Sequence, residues 1–114
     1  KELRALVRDA RVIHLIAPRH NVNGVGWGWD AIQAVSPDRT RSVVMVFRAM
    51  GDSSQRAIRP RGLHPEMRYR VRAEDRGALD ELTGAALMRD GILLTLAEFD
   101  SDLIWIEATS PSAT

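Results

Sequence analysis

Short apolar or alternating runs, each closed by turn chemistry, recur along almost all of this sequence and set its fold class. Arg11 to Ala17 is a β-branched and apolar run stopped by Pro18. Trp29 to Val35 reads as a strand, and Ser36-Pro37-Asp38-Arg39 suits a type I turn, with Pro presetting φ at the second position. Ser42 to Arg48 encloses Val43-Val44-Met45-Val46-Phe47, a continuous apolar run expected to be a central strand covered on both faces. Gln55 to Arg61 is a weaker strand interrupted by Pro60, and Gly62-Leu63-His64-Pro65 is a turn. Arg68 to Ala73 alternates, with Tyr69, Val71 and Ala73 on one side and Arg68, Arg70 and Arg72 on the other. Ile92 to Leu96 and Leu103 to Glu107 are two further strands, separated by the acidic turn around Asp100 to Asp102. One helical turn, Gly84 to Gly91, interrupts them, with Gly91 at the left-handed closing position. Seven or eight short strands, with turns about every 8–12 residues, predict an all-β fold. It is expected to be an antiparallel Greek-key β-sandwich whose core includes Val44, Val46, Tyr69, Val71, Leu94 and Trp105.

Length allows one such domain, since the chain has 114 residues. The predicted sandwich spans residues 10–109, preceded by a helix end over 1–9 and followed by a frayed tail over 110–114. In the helix end Leu3, Leu6 and Val7 share a face, and so short a helix needs a partner surface. The first residue is Lys1 rather than Met, as expected of a chain cut from something longer. If that larger part is removed, the leucine face and one sandwich face lose their cover, and self-association of the isolated chain is expected.

Sixteen Lys and Arg balance fifteen Asp and Glu, which provides no electrostatic ground for a nucleic-acid or anionic-membrane partner. No apolar run approaches the ~20 residues that span a bilayer. Cysteine is absent, so disulfides and thiol catalysis are excluded. Localisation stays open, with the cytoplasm the favoured reading.

The search for chemistry is mostly negative. His14, His20 and His64 have no second ligand at metal-binding spacing, so no metal is expected, and no cofactor either. No GxSxG elbow is present. Gly24-Val25-Gly26-Trp27-Gly28 matches neither phosphate-binding glycine motif and reads as a loop. The acidic candidates for a glycosidase pair are Glu74 with Asp75, Asp80 with Glu81, and Glu98, Asp100 and Asp102. All fall in predicted turns or on polar faces, where solvated residues are the simpler reading. No catalytic residue is therefore assigned. Trp27 and Trp29 would share a face in an extended segment and could form a sugar-stacking platform. Alternatively, Trp29 anchors the core and Trp27 plugs a domain contact.

Two stretches in the second half carry a family resemblance. Arg61-Gly62-Leu63-His64-Pro65-Glu66-Met67-Arg68-Tyr69-Arg70-Val71 resembles a turn and strand of the C-terminal domain of melibiase-type α-galactosidases, glycoside hydrolase family 36. Leu82-Thr83-Gly84-Ala85-Ala86-Leu87-Met88-Arg89-Asp90-Gly91-Ile92 is similar to the helical segment that follows it there. Upstream, Trp29 to Asp38 and Val43 to Arg48 fit the family's hairpin. The family often has Gly and an aromatic near the positions of Ala10 and Ile13, where this chain departs. The resemblance implies a non-catalytic accessory sandwich. It would pack on a (β/α)-barrel that holds the nucleophile and acid/base aspartates, with an N-terminal β-supersandwich before the barrel. Residues 1–9 would be the tail of the last barrel helix. The motifs that contain the catalytic aspartates are absent, so none is carried over. Two rival readings are a carbohydrate-binding module using Trp27 and Trp29, and a free-standing protein-interaction sandwich.

Overall fold

The computed structural model describes residues 10–16, 28–49, 54–74 and 77–109. The helix end at 1–9, Trp27, His20, Asp75 and the tail from 110 lie outside the described residues. Within them are eight strands and one helix: β1 Arg11–Ile16, β2 Trp29–Val35, β3 Arg41–Arg48, β4 Gln55–Ile58, β5 Arg68–Ala73, β6 Gly77–Thr83, α1 Gly84–Asp90, β7 Ile92–Thr95 and β8 Ser101–Ala108. All strand pairs are antiparallel.

The strands form two layers of unequal size. Six make one sheet in the order β1-β2-β3-β8-β5-β6, and β4 pairs with β7 in a second. Strand β8 lies between β3 and β5, and the chain leaves the large sheet for the small layer twice, at β4 and at β7, before the large sheet is complete. Ile58, Ile92 and Leu94 of the small layer, with Leu63 and Leu87, pack on Val44, Val46, Tyr69, Val71, Ile104 and Ile106 of the large one. Each such fully buried side chain contributes on the order of 1.5–3 kcal/mol relative to exposure. The expected all-β antiparallel sandwich is thus observed, with six strands facing two strands and a helix.

Strands β1, β2, β3, β5, β7 and β8 fall where alternation and apolar runs place them, within two residues at each end. Three details differ. Trp105 is buried, but it faces away from the main core and joins Ala34 and Val43 in a second cluster on the other side of the sheet. Strand β3 is covered on both faces only over Ser42–Val44; further along, Met45 and Phe47 are exposed. Strand β6 has no sequence signature: its Gly-Ala-Leu-Asp-Glu-Leu-Thr composition is poor in β-formers, and pairing with β5 overrides that local preference.

Turn and cap chemistry behaves as the residue types dictate. In the β2–β3 connection the Arg39 amide donates to the Ser36 carbonyl at 2.9 Å, and Arg39 itself takes φ 62°. The Asp38 carboxylate accepts from the Ser36 hydroxyl at 2.7 Å and from the Thr40 hydroxyl and amide at 2.8 and 3.1 Å. These bonds favour its charged form and hold its pKa below the ordinary aspartate value. Helix α1 is capped by Thr83, whose hydroxyl accepts from the Ala86 amide at 3.2 Å, and is closed by Gly91 at φ 81°.

Candidate functional site

The sequence candidates for chemistry are dispersed by the fold. His14 is exposed on edge strand β1. His64 lies in the turn before β5, its Nε2 donating to the Asp38 carbonyl at 3.1 Å. Among the described residues no group of three or more His, Asp or Glu could hold a metal ion. Three of the acidic side chains bond to the backbone amide that follows them. Asp80 accepts from the next amide at 2.7 Å, as does Asp100 at 2.8 Å. Asp102 likewise accepts from the Leu103 amide at 2.8 Å, but it departs from the solvated-turn expectation because it is buried at the start of β8. Glu74 accepts from the Trp105 indole nitrogen at 2.9 Å.

Trp29 opens β2 with 2% of its surface exposed, inside the main core beside Ala31 and Val46. It has no open indole face. Its even-numbered neighbours point the other way, toward the side of the large sheet that the small layer does not cover.

That outer side is built from three cross-strand rows. Ala34, Val43 and Trp105 form the first, Ile32, Met45 and Leu103 the second, and Asp30, Phe47 and Ser101 the third. Successive rows are about 6–7 Å apart, two residues along each strand. Ala10 packs on the first row, and Arg72 stacks over the Trp105 ring at 5.5 Å. Beyond it, Arg41–Glu107 and Arg68–Glu81 form cross-strand ion pairs at 3.6 and 3.8 Å. The second and third rows have less cover. They floor an open depression of about 460 Å³, with Asp30 and Glu74 at its rim. Asp30 Oδ1 is buried there with no hydrogen-bond partner among the described residues. The signal for this surface lay in the run Val43 to Phe47: apolar residues on both faces of a strand require cover on both.

A second depression of about 340 Å³ lies between the layers' edges and is lined by Arg56, Arg59 and Arg61 with Leu15 and Met88. Near it, buried Gln33 clamps the chain at Arg61. Its amide accepts from the Arg61 N–H at 2.8 Å and donates to the Arg61 carbonyl at 2.9 Å and to Ser42 Oγ at 2.8 Å.

Comparison with known families decides the relationship. The profile of the Glycosyl hydrolase family 36 C-terminal domain matches residues 29–106. The chain belongs to this family. Solved structures agree with that membership of glycosyl hydrolase family 36. The galactosidase domain of the α-galactosidase-sucrose kinase AgaSK superposes with a TM-score of 0.75 at 24% identity, covering 95% of this chain and 14% of that one. The α-galactosidase AgaB from Geobacillus stearothermophilus gives 0.69 at 26% identity with the same coverages. An α-galactosidase from Lactobacillus brevis gives 0.69 at 20% identity, covering 93% of this chain and 14% of that one. This family 36 domain therefore spans about one-seventh of the length of the solved proteins it matches. No curated protein sequence gives a match.

Proposed function

We propose that this chain is the non-catalytic C-terminal accessory domain of an α-galactosidase-like glycoside hydrolase, supporting a catalytic barrel that hydrolyses terminal α-galactosides. The observation that carries the reading is the coverage. Nearly the whole chain superposes on α-galactosidases, yet it accounts for 14% of their length. The domain's own residues are consistent with a supporting role. Asp80, Asp100 and Asp102 bond to the amides that follow them, Glu74 bonds to Trp105, and Trp29 sits in the core, which weighs against a two-tryptophan sugar platform. Fold alone does not assign substrate, so the galactoside specificity belongs to the parent enzyme.

The test is an assay of the purified 114-residue chain with an aryl α-galactoside, alongside a titration of its tryptophan fluorescence with galactose and raffinose. No turnover and no saturable shift are expected. Hydrolysis that survives removal of contaminants would sink the accessory reading. A saturable shift that disappears on Trp27→Ala would replace it with the binding-module reading.

A further inference from the structure

We propose that the open stretch of the outer face, between β2, β3 and β8, is where the part of the polypeptide preceding Ala10 docks. The proposal rests on the accessory-domain reading and adds to it the surface and the chemistry of contact.

Cover on this face follows a gradient. The first row, Ala34 with Val43 and Trp105, is buried, and Ala10, just before β1, packs against it on this side of the sheet. One row further on, Met45 is 37% exposed, and at the next Phe47 is 41% exposed. Phe99 lies at the same end of the sheet, its amide donating to the Arg48 carbonyl at 2.6 Å; it is 57% exposed and held at φ 63°. An aromatic residue in the left-handed region gains nothing locally from that conformation. The opposite face of the same sheet is already buried against the small layer. One apolar face thus begins covered beside Ala10 and ends open, and the solved relatives are about seven times the length of this chain.

Charge selects the occupant. Among the described residues, the depression in this face has the carboxylates of Asp30 and Glu74 and no basic side chain in its lining, while Asp102, opposite the core residue Val46 in the register, turns to the other side of the sheet. Asp30 Oδ1 is buried without a donor among the described residues, which is costly unless a partner supplies one. A second copy docking symmetrically would bring acid against acid. The surface that fits presents apolar side chains to Met45 and Phe47 and a guanidinium or ammonium to Asp30.

Methionine oxidation tests this without a mutation, because the thioether reports its own solvent access. Met45 in the 114-residue chain and in the full polypeptide that contains it would be exposed to hydrogen peroxide and read by mass spectrometry, with half-buried Met67 and Met88 as internal references. Met45 should oxidise about tenfold more slowly in the full polypeptide, while the references change little. Equal Met45 rates would overturn the proposal. So would protection that grows with concentration of the short chain and gains nothing in the full polypeptide, which would make a second copy the occupant. As a second readout, Met45→Glu with Phe47→Glu should speed proteolytic release of the domain from the full polypeptide. Leu93→Glu, on the small layer and 65% exposed, should not. The same full polypeptide assayed on an aryl α-galactoside tests the parent reading separately: absence of turnover refutes the activity, and Met45 protection still decides the face.

Discussion

Tyr69 is the chain's single tyrosine and joins two turns that are distant in sequence. Its side chain is buried, and its hydroxyl donates to the Arg39 carbonyl at 2.7 Å and accepts from the His64 amide at 2.9 Å. Alternation along β5 placed the ring in the core, but its partners were not legible, because the β2–β3 turn reaches Tyr69 only through the third dimension. Tyr69→Phe keeps the ring and leaves two backbone groups short of a partner, so it should cost about 1–3 kcal/mol in denaturant unfolding. Burial is the main cause that raises the Tyr69 pKa above its ordinary value. The folded state therefore holds the phenolic proton more tightly than the unfolded state. Its contribution is fully present below the unfolded pKa and is lost as pH rises through the folded one. Cysteine is absent and Lys1 is the only lysine, so few other groups titrate in that alkaline window. Wild type should lose stability above about pH 10, and Tyr69→Phe should show a flatter profile over the same range.

At the scale of elements, the segment from Leu63 to Gly91 shows how far local chemistry reaches. Thr83 as N-cap and Gly91 as closing residue are sequence signals, and α1 forms between them. Gly84 has a different reason, invisible in one dimension. A Cβ there would overlap the His64 carbonyl oxygen and crowd the Tyr69 ring, because the start of α1 is tied to the 64–67 turn. The Gly84 amide donates to the Met67 carbonyl at 2.8 Å and the Ala85 amide to the Pro65 carbonyl at 3.0 Å. Gly84→Ala should therefore cost about 2 kcal/mol or more in thermal or denaturant unfolding, despite the better helix propensity of alanine. A neutral or stabilising result would show that the turn and helix separate easily. Strand β6 marks the opposite limit. Its pairing partner β5 is clear from alternation, while β6 itself is recruited as an edge by that partner.

Over the whole molecule, order in the large sheet predicts a hierarchy of opening. Strands β2, β3, β8 and β5 are paired on both sides, while β1 and β6 are edges and β4–β7 is a two-stranded layer. Amides in β3 and β8 should exchange with solvent deuterium only on global unfolding, and those of β1, β6 and β4 through smaller openings. Uniform protection across all eight strands would refute this. The sequence by itself determined the strands with strong alternation or β-branched runs, the turns with Pro, Gly, Ser and Asp, and the inward side of β5. It did so because those signals come from neighbouring residues and the two-residue period of a strand. Only the tertiary structure decided that β8 separates β3 from β5, that Trp105 packs away from the main core, and that the small layer covers one face of the large sheet. Each depends on which distant segments meet, and a strand with two apolar faces, as in β3, carries no local record of which face will be covered.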